Sequence, residues 1–158
     1  MSDVKKIAGK IVNYNSSFNG TIFFDNEIQK IESNKNIQSN NIIIPGFIDL
    51  HCHGGNGFDV MEGSESIEKM SKYHLSHGTT SIMPTTWTNT FEETHNALEG
   101  FNDIYNKNSN ILGIHLEGPF INPDKLGAQP NLTQTPSQEF IIKLLKLAKI
   151  KLITLAPE

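Results

Sequence analysis

The 158-residue chain contains no arginine, so its 13 basic residues are all lysines, set against 17 acidic residues. A net charge of −4, without basic clusters interleaved with aromatic residues, argues against a nucleic-acid-binding surface. No apolar run reaches membrane-spanning length, and the first residues do not lead into a secretory signal. A single cysteine excludes an internal disulfide. The composition therefore predicts a soluble, cytoplasmic protein with no nucleic-acid or membrane partner.

The chain also lacks a glycine-rich phosphate loop and any serine or cysteine nucleophile signature. Its hydrophobic content of 37% and charged content of 19% are those of an ordinary globular protein. Any chemistry must therefore come from other residue types.

Two patterns divide the chain near Asn40–Asn41. Residues 1–41 read as short strands joined by polar turns, with Asp25–Asn26 as a hairpin turn. Residues 42–158 alternate apolar, strand-like runs with stretches of helical period, which indicates β/α units and a parallel sheet. The predicted strands are Ile42–His53, Thr79–Thr86, Ile111–Glu117 and Lys151–Pro157. The predicted helices are Ser64–His77 with Ser64 as its cap, Thr90–Asn106, and one capped by Thr135.

This alternation predicts the N-terminal half of a TIM-like barrel, because four strands and three helices are present where a closed (β/α)8 barrel has eight of each. Half a barrel leaves an unpaired strand at each side of the sheet. We therefore expect the chain alone to be poorly soluble or self-associating.

The most informative motif is the run from Pro45 to Gly55. On a strand, Asp49, His51 and His53 share one face, and the following glycines place the histidines at the strand's carboxyl end. Two imidazoles at this spacing can approach one metal ion. A bare His-x-His more often marks structural histidines, but its position at a strand end favours a ligand pair.

A second motif ends the third predicted strand. His115 and Glu117 share a face, and Gly118 ends the strand directly after the carboxylate. A carboxylate at the end of an apolar strand is costly unless it is paired, solvated or bound to a metal, so Glu117 is a candidate ligand. By the same parity Cys52 points away from the histidine pair and is read as a core residue.

Three stretches together resemble the N-acetylglucosamine-6-phosphate deacetylase family of amidohydrolases, and they follow that family's order and spacing. They are Pro45–Gly55, His77–Ser81 with Pro84–Thr85, and His115–Phe120 followed by Gly127-Ala128-Gln129-Pro130. The resemblance implies a TIM-like barrel beside a small β-sandwich to which residues 1–41 contribute strands, and a homodimer in the full-length family.

The resemblance also implies site residues. A divalent metal, with Zn favoured over Fe, Mn or Co, would be held by Glu117 and two later histidines, and His51 and His53 match a pair that binds metal in some members. Ala128 and Gln129 match positions that touch the sugar. No catalytic residue maps within the chain, because the family's catalytic aspartate and most of its phosphate-binding residues would follow Glu158. We therefore expect the chain alone to have no useful catalytic rate.

The implied activity is metal-dependent hydrolysis of the acetamide of N-acetylglucosamine 6-phosphate, a step of amino-sugar catabolism. Another amidohydrolase, either dihydroorotase-like or a nucleobase deaminase, shares the His-x-His strand. Glu117 argues against the dihydroorotase version, whose sites usually use a modified lysine. A third alternative is a non-catalytic fragment.

Overall fold

The computed structural model describes residues 3–158, which divide between two compact units, Met1–Pro45 and Gly46–Glu158. The division falls a few residues after the pattern change near Asn41. Within the described residues, none of the helices has the length and apolar character to cross a membrane.

The first unit is a four-stranded sheet in the order β3-β2-β1-β4. Strands β1 (Lys5–Val12), β2 (Ser17–Phe24) and β3 (Ile28–Ser33) form antiparallel pairs, whereas β4 (Ile42–Ile43) lies parallel to β1. The register aligns Ile7, Ile22 and Ile31 across three strands, so apolar side chains form one row on one face. Their assignment to a β-sandwich stays a prediction.

The second unit contains an arc of four parallel strands. Strand β5 (Phe47–Cys52) pairs with β8 (Thr79–Pro84), and β9 (Ile114–Glu117) pairs with β10 (Ile150–Thr154). Two parallel bridges, Ile82 to Ile111 and Thr85 to His115, join the halves in the order β5-β8-β9-β10. Along the chain, β5 and β8 are separated by a small hairpin of β6 (Gly54–Gly55) and β7 (Phe58–Asp59), as well as by a helix.

Helices connect these strands, as expected for β/α units. They are the 3₁₀ helix Val60–Glu62, α1 (Ser64–Ser76), α2 (Phe91–Leu98), α3 (Phe101–Tyr105), the 3₁₀ helix Pro123–Lys125 and α4 (Gln138–Leu147). Their apolar faces meet the sheet in one core that includes Ile67, Met70, Leu98, Phe101 and Leu144. The predicted fold, part of a TIM-like barrel preceded by short strands, is confirmed.

The first predicted barrel strand, Ile42–His53, is wrong as one element. Ile42–Ile43 pair with β1 in the first unit, and a new strand starts at Phe47 beside β8. Pro45 lies between them and has no backbone N–H to donate to a continuous ladder.

Helix boundaries differ from prediction at three places. The predicted helix Thr90–Asn106 is two helices, because Glu99 is extended and Gly100 is left-handed with φ 74°. The third helix is capped by Ser137, whose hydroxyl accepts from the Phe140 N–H, and not by Thr135. Ser64, predicted to be a cap, is the first helical residue of α1.

Candidate metal centre

The His-x-His motif lies at the carboxyl end of β5, with His51 inside the strand and His53 directly after it. Their Nε2 atoms are 3.0 Å apart. Asp49 shares their face but does not join them; its Oδ1 instead accepts the backbone N–H of His51 at 3.0 Å. The sheet thus presents two imidazoles from one strand end, and the aspartate fixes the backbone beneath them.

Glu117 reaches this pair from the carboxyl end of β9. Its Oε2 lies 3.1 Å from His51 Nε2 and 3.0 Å from His53 Nε2. The three ligand atoms lie within 4.8 Å of one another, so the group could hold a metal ion. The predicted convergence of these three side chains at one end of the sheet is confirmed. It follows from parallel strands, whose carboxyl ends meet at one edge.

The hydrogen bonds around His53 support a cation between these groups. His53 Nδ1 lies 3.0 Å from the carbonyl oxygen of Thr85, which can only accept, so Nδ1 carries the proton. In the neutral ring, Nε2 then has a lone pair facing the Glu117 carboxylate at 3.0 Å. The Nε2 lone pair of His53 and the Glu117 carboxylate face each other favourably only when a proton or a metal ion lies between them. These ligand atoms therefore fit a divalent cation.

The strand next to β5 holds the motif in place. Thr85 donates its backbone N–H to the Cys52 carbonyl, and its Oγ1 accepts the Cys52 N–H at 2.9 Å. Beyond it, the indole of Trp87 stacks on the His53 ring with centroids 3.7 Å apart and planes at 16°. Sequence reasoning missed Trp87. The one available signal was that the chain's only tryptophan follows closely after a predicted strand.

His115 lies on the same face of β9 as Glu117, but its ring nitrogens contact groups outside the His51, His53 and Glu117 cluster. Its Nδ1 lies 3.2 Å from the Leu50 carbonyl and its Nε2 lies 2.8 Å from Thr154 Oγ1. Burial, followed by the nearby His51 ring, lowers the pKa of His115 below its ordinary value. The ring is therefore a neutral, buried support edge-on to His51, with centroids 4.9 Å apart, and not a member of the ligand group.

Three further side chains of potentially reactive type lie outside the cluster. Cys52 points away from the histidine pair, and its Sγ lies 3.2 Å from the Gly54 carbonyl and 3.4 Å from His74 Nε2. Burial raises the pKa of this thiol, as expected for a core residue. His77 Nδ1 lies 2.9 Å from the Tyr73 carbonyl oxygen, and Lys125 is exposed at the end of a short 3₁₀ helix.

The loop carrying Ala128 and Gln129 lies against the segment after β8. Gln129 Oε1 accepts the backbone N–H of Thr88 at 2.7 Å, which uses its carbonyl oxygen. Ala128 is exposed and lines an open cleft of about 520 Å³. The other lining residues are Asp59, Met61, Glu62, Trp87, Asn89 and Pro130. The two predicted sugar-contacting residues are thus connected, through residues 87 and 88, to the side of the metal cluster.

Gly118, directly after Glu117, packs closely against Thr88. The residue has φ 73°, and a Cβ there would lie 2.1 Å from Thr88 Oγ1. Both the left-handed backbone and the contact require glycine, so β9 ends directly after Glu117.

A parallel β/α arc with His-x-His at the end of its first strand and a glutamate at the end of its third is part of a TIM-like barrel whose rim carries a group that could hold a metal ion. Residues 42–158 match the amidohydrolase family, and the chain belongs to that family.

Proteins named N-acetylglucosamine-6-phosphate deacetylase are similar to it. The protein from Lysinibacillus sphaericus is 38% identical over 127 residues, covering 76% of this chain and 33% of the relative. The Bacillus subtilis (strain 168) protein is 38% identical over 136 residues, covering 78% and 34%. The chain thus spans about a third of the length of these curated relatives.

Solved structures agree on the fold. The deacetylase of Thermotoga maritima matches with a TM-score of 0.79 at 28% identity, over 88% of this chain and 39% of that one. The Mycobacterium smegmatis enzyme, solved as a mutant with N-acetyl-D-glucosamine-6-phosphate, matches with a TM-score of 0.82 at 21% identity, covering 98% and 44%. The arc of strands described above therefore corresponds to the first part of these barrels.

Proposed function

We propose that this chain forms the metal-binding side of an amidohydrolase that cleaves N-acetylglucosamine 6-phosphate to glucosamine 6-phosphate and acetate. The observation that carries the proposal is the meeting of His51, His53 and Glu117 within 4.8 Å at one sheet edge. The relatives named above, which are deacetylases of this substrate, support the choice of reaction.

His51 and His53 would bind the ion through Nε2, and Glu117 through Oε2. The donor set of two imidazoles and one carboxylate suits zinc best, with iron, manganese or cobalt as alternatives. A divalent ion held by these residues would supply a water ligand of lowered pKa and a Lewis acid for a carbonyl oxygen. The chain's own contribution is to orient the ligands: Thr85 fixes the His53 tautomer, and the Asp49 carboxylate fixes the His51 backbone.

The substrate would lie in the cleft beside the cluster. Ala128 gives it an exposed wall, and Gln129 has its carbonyl oxygen tied to Thr88, which leaves the amide NH₂ as the group that can donate to a sugar oxygen. Trp87 supplies a flat apolar surface at the same cleft. We propose these contacts for the sugar, and amino-sugar catabolism in the cytoplasm as the enzyme's setting. A homodimer is the oligomeric state we propose for the full-length enzyme.

Amidohydrolases that act on cyclic amides or nucleobases share the His-x-His strand and are the alternative. Glu117 argues against the dihydroorotase-like version, whose sites usually use a modified lysine. The relatives named above carry the deacetylase name, and no observation in residues 3–158 favours the other reactions.

The test is a chimera in which residues 46–158 replace the matching part of the Bacillus subtilis relative. Acetate release from N-acetylglucosamine 6-phosphate is followed with zinc and after treatment with a chelator. We expect zinc-dependent release by the chimera and at least about 10²-fold less in the same chimera carrying Glu117→Gln. Equal activity of the two chimeras would refute the assigned role of Glu117, and hydrolysis of dihydroorotate or a nucleobase instead would refute the substrate.

A further inference from the structure

Trp87 contacts a metal-ligand candidate without belonging to the hydrophobic core. It lies three positions after the end of β8, is half-buried, and stacks on His53 at 3.7 Å with nearly parallel planes. Its position is therefore explained better by the histidine than by core packing.

The same short segment holds His53 at a second point. The Thr85 carbonyl accepts the Nδ1–H of His53 at 3.0 Å, which fixes the tautomer, while the indole covers the face of the ring. The hydrogen bond fixes which ring nitrogen faces Thr85, but it still allows the ring to tilt through small rotations about χ1 and χ2. The stack removes this freedom, and together the two contacts direct Nε2 toward Glu117.

We propose that Trp87 is a positioning residue for His53 and strengthens metal binding at the His51, His53 and Glu117 cluster. This inference rests on the metal site of the proposed function. An imidazole that donates its Nε2 lone pair to a cation becomes electron-poor, and an electron-rich indole face attracts such a ring more strongly. By linkage, a contact that is stronger in the metal-bound state raises the affinity for the metal.

Trp87 also connects the cluster to the substrate side. Its indole lines the 520 Å³ cleft beside Ala128, and the next residue, Thr88, donates its N–H to Gln129. A sugar in this cleft would touch the residue that orients His53.

The experiment uses the full 158-residue chain and Zn²⁺ as the probe, with affinity measured by competition against a chromophoric chelator. We expect Trp87→Ala to weaken zinc binding about three- to tenfold, the range that an aromatic pair supports. Trp87→Phe, which keeps a ring, should stay within about twofold. Phe91→Ala is the matched control, since this half-buried aromatic packs against Phe140 at 5.0 Å, away from the cluster.

Two further readouts separate positioning from general stability. Because Trp87 is the only tryptophan, Co²⁺ bound at His53 should quench the indole emission of the chain, and His53→Asn should abolish that quenching. In the metal-free chain, long-range ¹H–¹⁵N spectra should show a single Nδ1–H tautomer for His53, and a mixture after Trp87→Ala. Trp87→Leu replaces the alanine variant if circular dichroism shows that the latter is unfolded.

The outcomes are distinguishable. Tight zinc binding that is equal in the parent chain and in the ring-less variants would overturn the role of Trp87 and leave the metal site standing. A parent chain that binds no zinc would overturn both the metal site and this inference. Equal weakening by Phe91→Ala and Trp87→Ala would also overturn it, because the effect would then be one of stability.

Discussion

Replacing Glu117 by glutamine removes the charge from the carboxylate that joins two strand ends while keeping its size. The Oε2 atom lies about equally far from both histidines, 3.1 and 3.0 Å, so it is central to the cluster rather than an accessory. Changes to groups that only support metal ligands already cost about 10–100-fold in affinity. Loss of a charged ligand should therefore weaken zinc binding by at least about 100-fold, or about 2.8 kcal/mol.

The assay is zinc titration of the 158-residue chain by calorimetry, with Lys125→Ala as the matched control. Lys125 is exposed in the loop region after Glu117, so its removal changes only a solvated charge and should alter the affinity less than about twofold. Circular dichroism confirms that both variants are folded. Comparable losses for the two substitutions would refute the ligand role of Glu117.

Three further predictions concern the fold. Leu144→Ala should lower the free energy of unfolding by about 2–5 kcal/mol, because the Leu144 side chain is fully buried. Leu145 is 52% exposed on the same helix, so Leu145→Ala should change the free energy of unfolding by under about 0.5 kcal/mol. Both are measured by urea titration, and equal losses would contradict the assigned core. Ser137→Ala should cost about 1 kcal/mol in the same assay and Thr135→Ala much less; the reverse order would restore Thr135 as the cap. We predict that the chain self-associates and that Ile48→Lys reduces this association, since Ile48 is 68% exposed on β5; sedimentation velocity decides, and a monomeric parent chain or unchanged association in the variant would contradict the prediction.

The convergence of His51, His53 and Glu117 could be predicted from the sequence, because strand parity and parallel topology are local rules that determine where distant residues meet. His51 and Glu117 are 66 positions apart in the sequence. Both lie at the carboxyl ends of parallel strands and on the same face of the sheet, so their side chains meet at one edge of the barrel. Parity also placed Cys52 correctly, on the side of α1 next to His74.

Other features depend on contacts that no local pattern encodes. The stack of Trp87 on His53 depends on the rotamers of two side chains that follow different strands, β8 and β5. The burial of His115 depends on its contacts with Leu50 and Thr154. The break at Gly100 was missed because the apolar spacing continues across it into α3. Thr135 and Ser137 both satisfy a cap pattern, and only the backbone decides between them.

The most direct test of the metal centre is anomalous diffraction at the zinc edge from crystals of the chain grown with Zn²⁺. The account predicts one strong peak within about 2.0–2.2 Å of His51 Nε2, His53 Nε2 and a Glu117 carboxylate oxygen. A zinc peak beside other side chains, with no zinc near these three atoms, would contradict it.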